Sequence, residues 1–556
     1  MAEADSAPSP RSGGAFEPLR ERTFRAIWSA SLLSNFGQLI QGVGAAWEMT
    51  RLTTSPGMVA LVQTALMLPL MLVSVPAGAF ADMFDKRRIA LAGLVLATLC
   101  ASALTTLAWL GLTTPWVLLC STSLIGAGVA LYGPAWQASI REQVKPAQLP
   151  AAVALGSVSY NIARSFGPAI GGIIVLAFGA TAAFGVNALF YLPLIAAFYF
   201  WRREHVPARL PPERIDRGII SGARFVFHSP PIRIVIIRAL LFGLASASLS
   251  ALTPLVAKHL LAGNASTYGL LLGANGVGAV AGALLVGQAR ERMKAEHAAR
   301  LCAVVGGIVV LLIGLSHHVL ITALLMVIAG AAFMLNIALL NVAVQLSAPR
   351  WVTARAVAWF QSALTGGIAL GAWGWGQATA DWGLSIALIA SGIALLLTPL
   401  AGLWLPMPRV NVDDVETIDL AGEPEVALAL TVRSGPIVIE VDYRVDPEVA
   451  RQFYEIMMKV QTTRLRNGAF DWSLSRDIAD PALWTERYHC PTWGDYLRLR
   501  TRFTQGDIEL QTAADAFHLG GAGSRVRRRL ERPLGSVRWR AETPDPGKDS
   551  IGILPP

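Results

Sequence analysis

Residues 61–109 read LVQTALMLPLMLVSVPAGAFADMFDKRRIALAGLVLATLCASALTTLAW. Two apolar runs, each long enough to cross a bilayer, are joined by a short hairpin holding Asp82, Asp85, Lys86, Arg87 and Arg88. A spanning helix needs about 20 apolar residues, because in lipid every backbone polar group must be satisfied within the helix. Working outward in both directions, the same rhythm gives twelve spans, at 26–50, 58–82, 89–112, 115–140, 153–178, 180–201, 232–256, 266–289, 298–318, 320–347, 357–381 and 383–405. The whole chain agrees: 54% of its 556 residues are hydrophobic, only 15% are charged, and the mean hydropathy is +0.50. A soluble chain carries about 25% charged residues.

The net charge of +9 would suggest a nucleic-acid partner in a soluble protein. Here the basic residues sit in the loops between spans, so no nucleic acid is expected. With the N-terminus inside, the inside segments together with the adjoining span ends at Arg233 and Arg300 hold 22 Lys and Arg up to residue 405, and the outside loops hold only Arg51 and Lys258. The positive-inside rule then places both termini in the cytoplasm of a multi-pass inner-membrane protein. The four cysteines show no metal-ligand spacing and no disulfide framework. No metal and no cofactor are expected.

Composition divides the chain. Residues 1–20 read as a disordered tail, 21–201 as a six-span half, 202–231 as a central loop, 232–405 as a second six-span half and 406–435 as a linker. Ile215, Ile219, Ile220, Phe225 and Phe227 alternate with arginines in the central loop, as in an amphipathic helix lying on the inner leaflet. The halves repeat at an offset of 204 residues: Gly78 maps to Gly282, Gly167 to Gly371 and Gly172 to Gly376. Paired halves suit a transporter whose halves rock around a central site.

Beyond residue 435 the pattern changes. Ile437–Arg444 alternates as a strand, Asp446-Pro447 opens a helix that Gly468 ends, two strands follow around Asp480-Pro481, and 492–516 is helical. This β-α-β-β-α order resembles a ferredoxin-like, dimeric α+β barrel domain at 436–520. The sequence around Tyr443–Trp493 resembles the antibiotic-biosynthesis monooxygenase-like superfamily, which implies a homodimer through this domain. Trp472, Trp484, Glu486, His489 and Trp493 either line a pocket or belong to a core. With no metal-ligand spacing and no nucleotide-binding glycine loop, an enzyme is not expected. Residues 521–556, with Arg525–Arg532, read as a basic tail that is solvated or lies on the inner leaflet.

The hairpin Gly78-Ala-Phe-Ala-Asp82-Met-Phe-Asp85-Lys86-Arg87-Arg88 resembles the major facilitator superfamily signature between its second and third helices, with Asp85 where glycine is commoner. Gly167-Pro168-Ala-Ile-Gly171-Gly172 in the fifth span is similar to the core of the antiporter signature, although Ala154 and Ala163 stand where its upstream glycines belong. Together with Gly133-Pro-Ala-Trp-Gln137 and Asn161-Ile-Ala-Arg164, these motifs resemble the transmembrane secretion effector branch, related to the enterobactin exporter. The resemblance implies an all-α bundle of twelve transmembrane helices in two halves, and a proton-coupled exporter of siderophore-like or antibiotic-like small molecules. An importer, or a membrane sensor signalling through the C-terminal domain, is the alternative.

Individual residues sharpen this. Asp82, with Gly78 beside it, is a conformational latch or a topology anchor. Arg164 lies near mid-membrane, where a charge is costly and faces a cavity or a partner. Ser157, Tyr160, Asn161 and Arg164 share one helix face, as cavity lining or as a structural cap. Gly167, Pro168, Gly171 and Gly172 bend and thin the fifth span for packing or for gating. Ser31, Ser34, Asn35, Gln38 and Gln41 form a polar stripe on the first span, lining the cavity or bonding between helices. Glu48 pairs with Arg51 or couples protons, as Asp82 does in the coupling reading. Arg238 lies where its side chain can snorkel to the interface.

Overall fold

The computed structural model describes residues 16–83, 85–145, 148–202, 215–349, 351–408, 424, 426–520 and 524–531. Helices follow one another as α1 (Arg22–Leu52), α2 (Pro56–Met83), α3 (Lys86–Trp109), α4 (Pro115–Ser139), α5 (Leu149–Phe200), α6 (Ile215–His228), α7 (Pro230–Leu255), α8 (Ala265–Leu284), α9 (Val286–Arg292), α10 (Ala295–Leu315), α11 (Val319–Ser347), α12 (Thr353–Trp382) and α13 (Leu384–Trp404). Among the described residues, nine helical segments are long and apolar enough to cross a membrane. One of them runs 50 residues, Ala151–Phe200, and contains Gly179 at φ 79° and ψ 172°, a conformation that breaks a helix and suits glycine alone. The chain is therefore a multi-pass, all-helical membrane protein with a small sheet at its C-terminal end.

Local chemistry sets the helix starts. Asp85 accepts from the backbone N–H groups of Arg87 at 2.9 Å and Arg88 at 3.2 Å, which caps α3. This accounts for an aspartate where the family signature favours glycine. Thr114 caps α4 ahead of Pro115, and Asn264 with Thr267 forms a capping box on α8.

The contacts divide the chain into two units. The first holds residues up to Asp216, Ile236–Asn341 and Ala358–Met407. Its helices pack through small residues, since lipid offers no hydrophobic drive for association and close approach must supply dispersion instead. A Cβ on Gly93 of α3 would sit 2.5 Å from the Gly128 carbonyl of α4, and one on Gly278 of α8 would overlap the Val327 carbonyl of α11.

The second unit holds Arg217–Val235, Val342–Val357 and the chain from Pro408 onward. Its sheet comprises β1 (Ile437–Arg444), β2 (Phe470–Arg476), β3 (Leu483–Cys490) and β4 (Arg525–Leu530), in the order β2-β3-β1-β4 with every neighbouring pair antiparallel. Ala450–Asn467 (α14), Trp493–Arg500 (α15) and Gln505–Asp515 (α16) complete the unit. Ile437, Ile439, Val441 and Tyr443 of β1 pack in its core with Phe453, Met457 and Val460 of α14.

Three expectations are corrected here. The start of the expected basic tail is strand β4: Arg527 pairs with Asp442 at 2.7 Å and Arg529 with Glu440 at 3.2 Å, both acids lying on β1. Alternating arginines read as a tail because their partners are 85 or more residues away in sequence. The amphipathic helix of the central loop is present as α6, but part of its apolar face meets protein and not lipid. Phe225 is buried edge-on against Trp351 and under the Arg466 guanidinium, while Arg224 donates to the Gly468 carbonyl at 3.0 Å. Arg238 does not snorkel; it is ion-paired within the bundle, as described below.

Burial pushes the Cys490 thiol up to about 12 and raises the Tyr443 and Tyr488 hydroxyls above their ordinary range. These groups hold their protons more tightly when folded than when unfolded. Their contribution is complete below the unfolded values of 9.0 and 10.0 and is lost as the pH rises beyond them. The C-terminal unit is expected to melt at progressively lower temperature above about pH 9. A flat melting profile from about pH 8 to 11 would contradict this.

Candidate transport pathway

The two helical halves meet along glycine-lined seams. In α5, Gly167 lies against Leu39 and Gly171 against Ile40 of α1, while Gly172 faces α8, where a Cβ would come within 2.7 Å of the Ala265 carbonyl and 2.9 Å of Gly269 Cα. The Pro168 carbonyl lies 2.6 Å from where a Gly269 Cβ would stand. On the equivalent seam Gly376 of α12 meets Ala60 and Gly57 of α2, and Thr64 donates to the Ala369 carbonyl at 2.9 Å. Gly172 and Gly376 are the two residues that the repeat relates, so the internal symmetry is realised as paired contacts, α5 with α8 and α12 with α2. Trp47 stacked on Tyr268 at 6.5 Å and the Lys258 ammonium on the Thr50 carbonyl add to the closure at this end.

The seams run inward to Met71 against Gly366 and to Arg164, whose carbonyl lies 2.5 Å from a Cβ on Gly276. Arg164 is half-buried, and its guanidinium crosses to the second half, where Nη1 lies 3.9 Å from the Met334 sulfur of α11. Among the described residues that sulfur is its only polar partner. One turn earlier Tyr160 is 49% exposed, and Asn161 donates to the Ser157 carbonyl at 2.9 Å. Ser157 itself is exposed.

The first-span stripe divides differently from a cavity wall. Ser31, Ser34 and Gln41 are buried. Gln41 accepts from Asn187 in the second limb of α5, Asn35 donates to Ser159 at 3.3 Å, and Gln38 donates to Ser34 at 3.4 Å. Bonding between helices therefore occupies Asn35 and Gln41, while Gln38 and Ser34 bond within α1, because a polar group away from water must find a partner inside the bundle. Glu48 pairs with Arg51 at 3.1 Å. In the signature hairpin, Lys86 pairs with Glu142 at 2.8 Å, Arg87 donates to the Tyr199 carbonyl at 2.5 Å, and Arg88 is exposed. Gly78 and Asp82 lie in α2, and the latch expected of them rests on side chains outside the described residues.

Sequence reading missed one cluster. Arg238, 9% exposed, donates to Glu296 at 2.5 Å and to the Leu405 carbonyl at 3.1 Å. Glu296 also accepts from Arg300 at 2.7 Å and from the Met407 backbone at 2.9 Å. The last turn of α13 is thus tied to α7 and α10 where the chain leaves the bundle. Glu296 sits in a run of charges at 290–300, which reads as a loop because only the fold brings Arg238 to it.

A two-half helical bundle whose halves meet along glycine seams has the build of a major facilitator transporter. The chain belongs to the transmembrane secretion effector family, whose model matches residues 13–534. It is 27% identical over 413 residues to the multidrug efflux pump Tap of Mycolicibacterium fortuitum, covering 72% of this chain and 97% of that protein. It is 25% identical over 264 residues to the staphyloferrin A transporter of Staphylococcus aureus, covering 47% and 66%. Against other curated relatives the chain spans about half of their length, 43% and 50% in two cases. A crystal structure of a bacterial homolog of the human lysosomal transporter Spinster, in an inward-facing conformation, matches with a TM-score of 0.55 at 14% identity, over 70% of this chain and 96% of that one.

Proposed function

We propose that the chain is a secondary active exporter of amphipathic small molecules working by alternating access. The carrying observation is the seam: tight backbone contacts bind the halves at one end and reach Arg164, beyond which Tyr160 and Ser157 are exposed. These contacts, with the exposure of Tyr160 and Ser157, support a bundle closed on one side of a mid-span site and open on the other. Reading the 50-residue segment as two spans broken at Gly179, and adding the more polar α1 and α12, supports twelve spans in two halves. The distribution of Lys and Arg supports an inner-membrane chain with both termini in the cytoplasm, so the open side faces inward. In this reading protons are the coupling ion, with Glu48 and Asp82 as the candidate acids. The names of the relatives, an efflux pump and a siderophore transporter, favour siderophore-like or antibiotic-like substrates.

The sheet order β2-β3-β1-β4 with βαββαβ connectivity supports a ferredoxin-like C-terminal domain. Its open sheet face carries the Arg527–Asp442 and Arg529–Glu440 pairs, and burying a charged face against a second copy is costly. A role within one chain therefore suits this domain better than a sheet-to-sheet dimer. Trp472 and Glu486, once candidates for a pocket, are hydrogen-bonded to each other at 2.9 Å within the core, which supports a structural role over catalysis.

The test is accumulation of a panel of siderophores and amphipathic antibiotics in cells lacking their own exporters. Expression of the chain is expected to lower accumulation of at least one compound, and a protonophore to restore it. Unchanged accumulation across the panel would overturn the exporter reading.

A further inference from the structure

The twelve spans contain no Asp or Glu away from their ends: Glu48, Asp82 and Asp381 are terminal. Arg238 is neutralised by Glu296. Arg164 is the remaining interior cation, and among the described residues nothing but a thioether meets its guanidinium. A half-buried mid-span charge with no acid beside it among the described residues is costly unless something compensates it. The guanidinium is planar, permanently charged and matched to two-point recognition of an oxyanion. Tyr160 stands one turn away on the same face with an exposed ring and a hydroxyl able to donate.

We propose that Arg164 is the receptor for a single carboxylate on the transported molecule. The inference deepens the exporter reading and rests on it. One cation is balanced by one negative charge, so a monoanion fits, whereas a doubly charged phosphate would leave a net charge at mid-span. The site also sits where it can report occupancy to both halves. The Arg164 backbone packs on α8 while its side chain reaches α11. Neutralising the guanidinium removes the cost of enclosing it, so the carboxylate-bound state is the one in which the halves can close around the site. The substrate then brings the acid that the spans lack.

The purified full-length chain in detergent is titrated with fusidate and with cholate, each beside its uncharged methyl ester, with binding followed by intrinsic tryptophan fluorescence. The wild type is expected to bind at least one acid about tenfold or more tightly than its ester, the span of a charge-assisted hydrogen bond. Arg164→Gln is expected to abolish that preference while leaving ester affinity in place, which also shows that the variant is folded. Arg164→Lys is expected to keep part of the preference, since it retains the charge and loses the fork. Equal binding of acid and ester by the wild type, a preference that survives Arg164→Gln, or no binding of either acid overturns the proposal. Reconstitution in liposomes separates the two readings. An acid bound at Arg164 but not moved sinks the exporter and leaves the site, whereas esters moved as fast as acids leave the exporter and sink the site.

Discussion

Replacing Glu486 by alanine is expected to unfold the C-terminal unit. Glu486 is fully buried, and its carboxylate accepts from Arg464 at 3.0 Å, from Trp472 at 2.9 Å and from the Tyr443 hydroxyl at 3.5 Å. Arg464 is 7% exposed, lies over the Tyr488 and Phe503 rings, and donates to Gln511. Removing the acid leaves this guanidinium charged with no counter-ion. Breaking a buried pair in this way costs about 3–5 kcal/mol, a large share of the roughly 5–15 kcal/mol that holds a domain together. The pair itself adds little, because desolvation of both charges offsets most of their attraction. The double variant Arg464→Met with Glu486→Leu is therefore expected to stay within about 1–2 kcal/mol of the wild type, or to exceed it. Limited proteolysis of the full chain checks both: rapid cleavage beyond residue 435 for the single variant, and resistance for the double. Equal resistance of Glu486→Ala and wild type would show that the network does not hold the unit.

Gly278→Val is expected to prevent assembly of the second helical half. A Cβ there overlaps the Val327 backbone carbonyl, and one on Gly330 overlaps the Asn275 carbonyl, so α8 and α11 touch backbone to backbone from both sides. No rotamer relieves such a clash; the helices must separate, and the lost contacts cannot be replaced by lipid. Overpacking in a tight core costs about 1–3 kcal/mol when side chains can adjust, and here the obstacle is backbone. Gly42→Ala in α1 is the control, since nothing lies within 4 Å of its added carbon and alanine favours helix by about 0.5–1 kcal/mol. Size-exclusion profiles in detergent should show aggregate for Gly278→Val and a sharp monodisperse peak for Gly42→Ala. A well-behaved Gly278→Val protein would show that α8 and α11 do not pack this closely.

The multi-pass helical character was legible because bilayer thickness is a strong ruler, and a helix-breaking Gly179 lies between the segments read as the fifth and sixth spans. The first strands and α14 of the C-terminal unit were legible for local reasons, alternation in 437–444 and the left-handed stop at Gly468 with φ 119°. What sequence could not show were partnerships across long separations. The arginines of β4 found their carboxylates on β1, Arg238 found Glu296, and Gln41 found Asn187. Arg164 stood out in the sequence as a mid-span charge, but only the fold brought it to Met334 and across the seam.

The most direct test of alternating access is to lock one seam. Thr64 Oγ1 lies 2.9 Å from the Ala369 carbonyl across the α2–α12 seam, so cysteines at 64 and 369, positions that already carry a Cβ, are the pair for an oxidative cross-link. The doubly substituted chain, with its four native cysteines replaced, is assayed for export in cells before oxidation, after oxidation and after reduction. The account predicts export that stops on oxidation and returns on reduction, because the halves can no longer part at that end. Export that continues at full rate with the bond formed would contradict it.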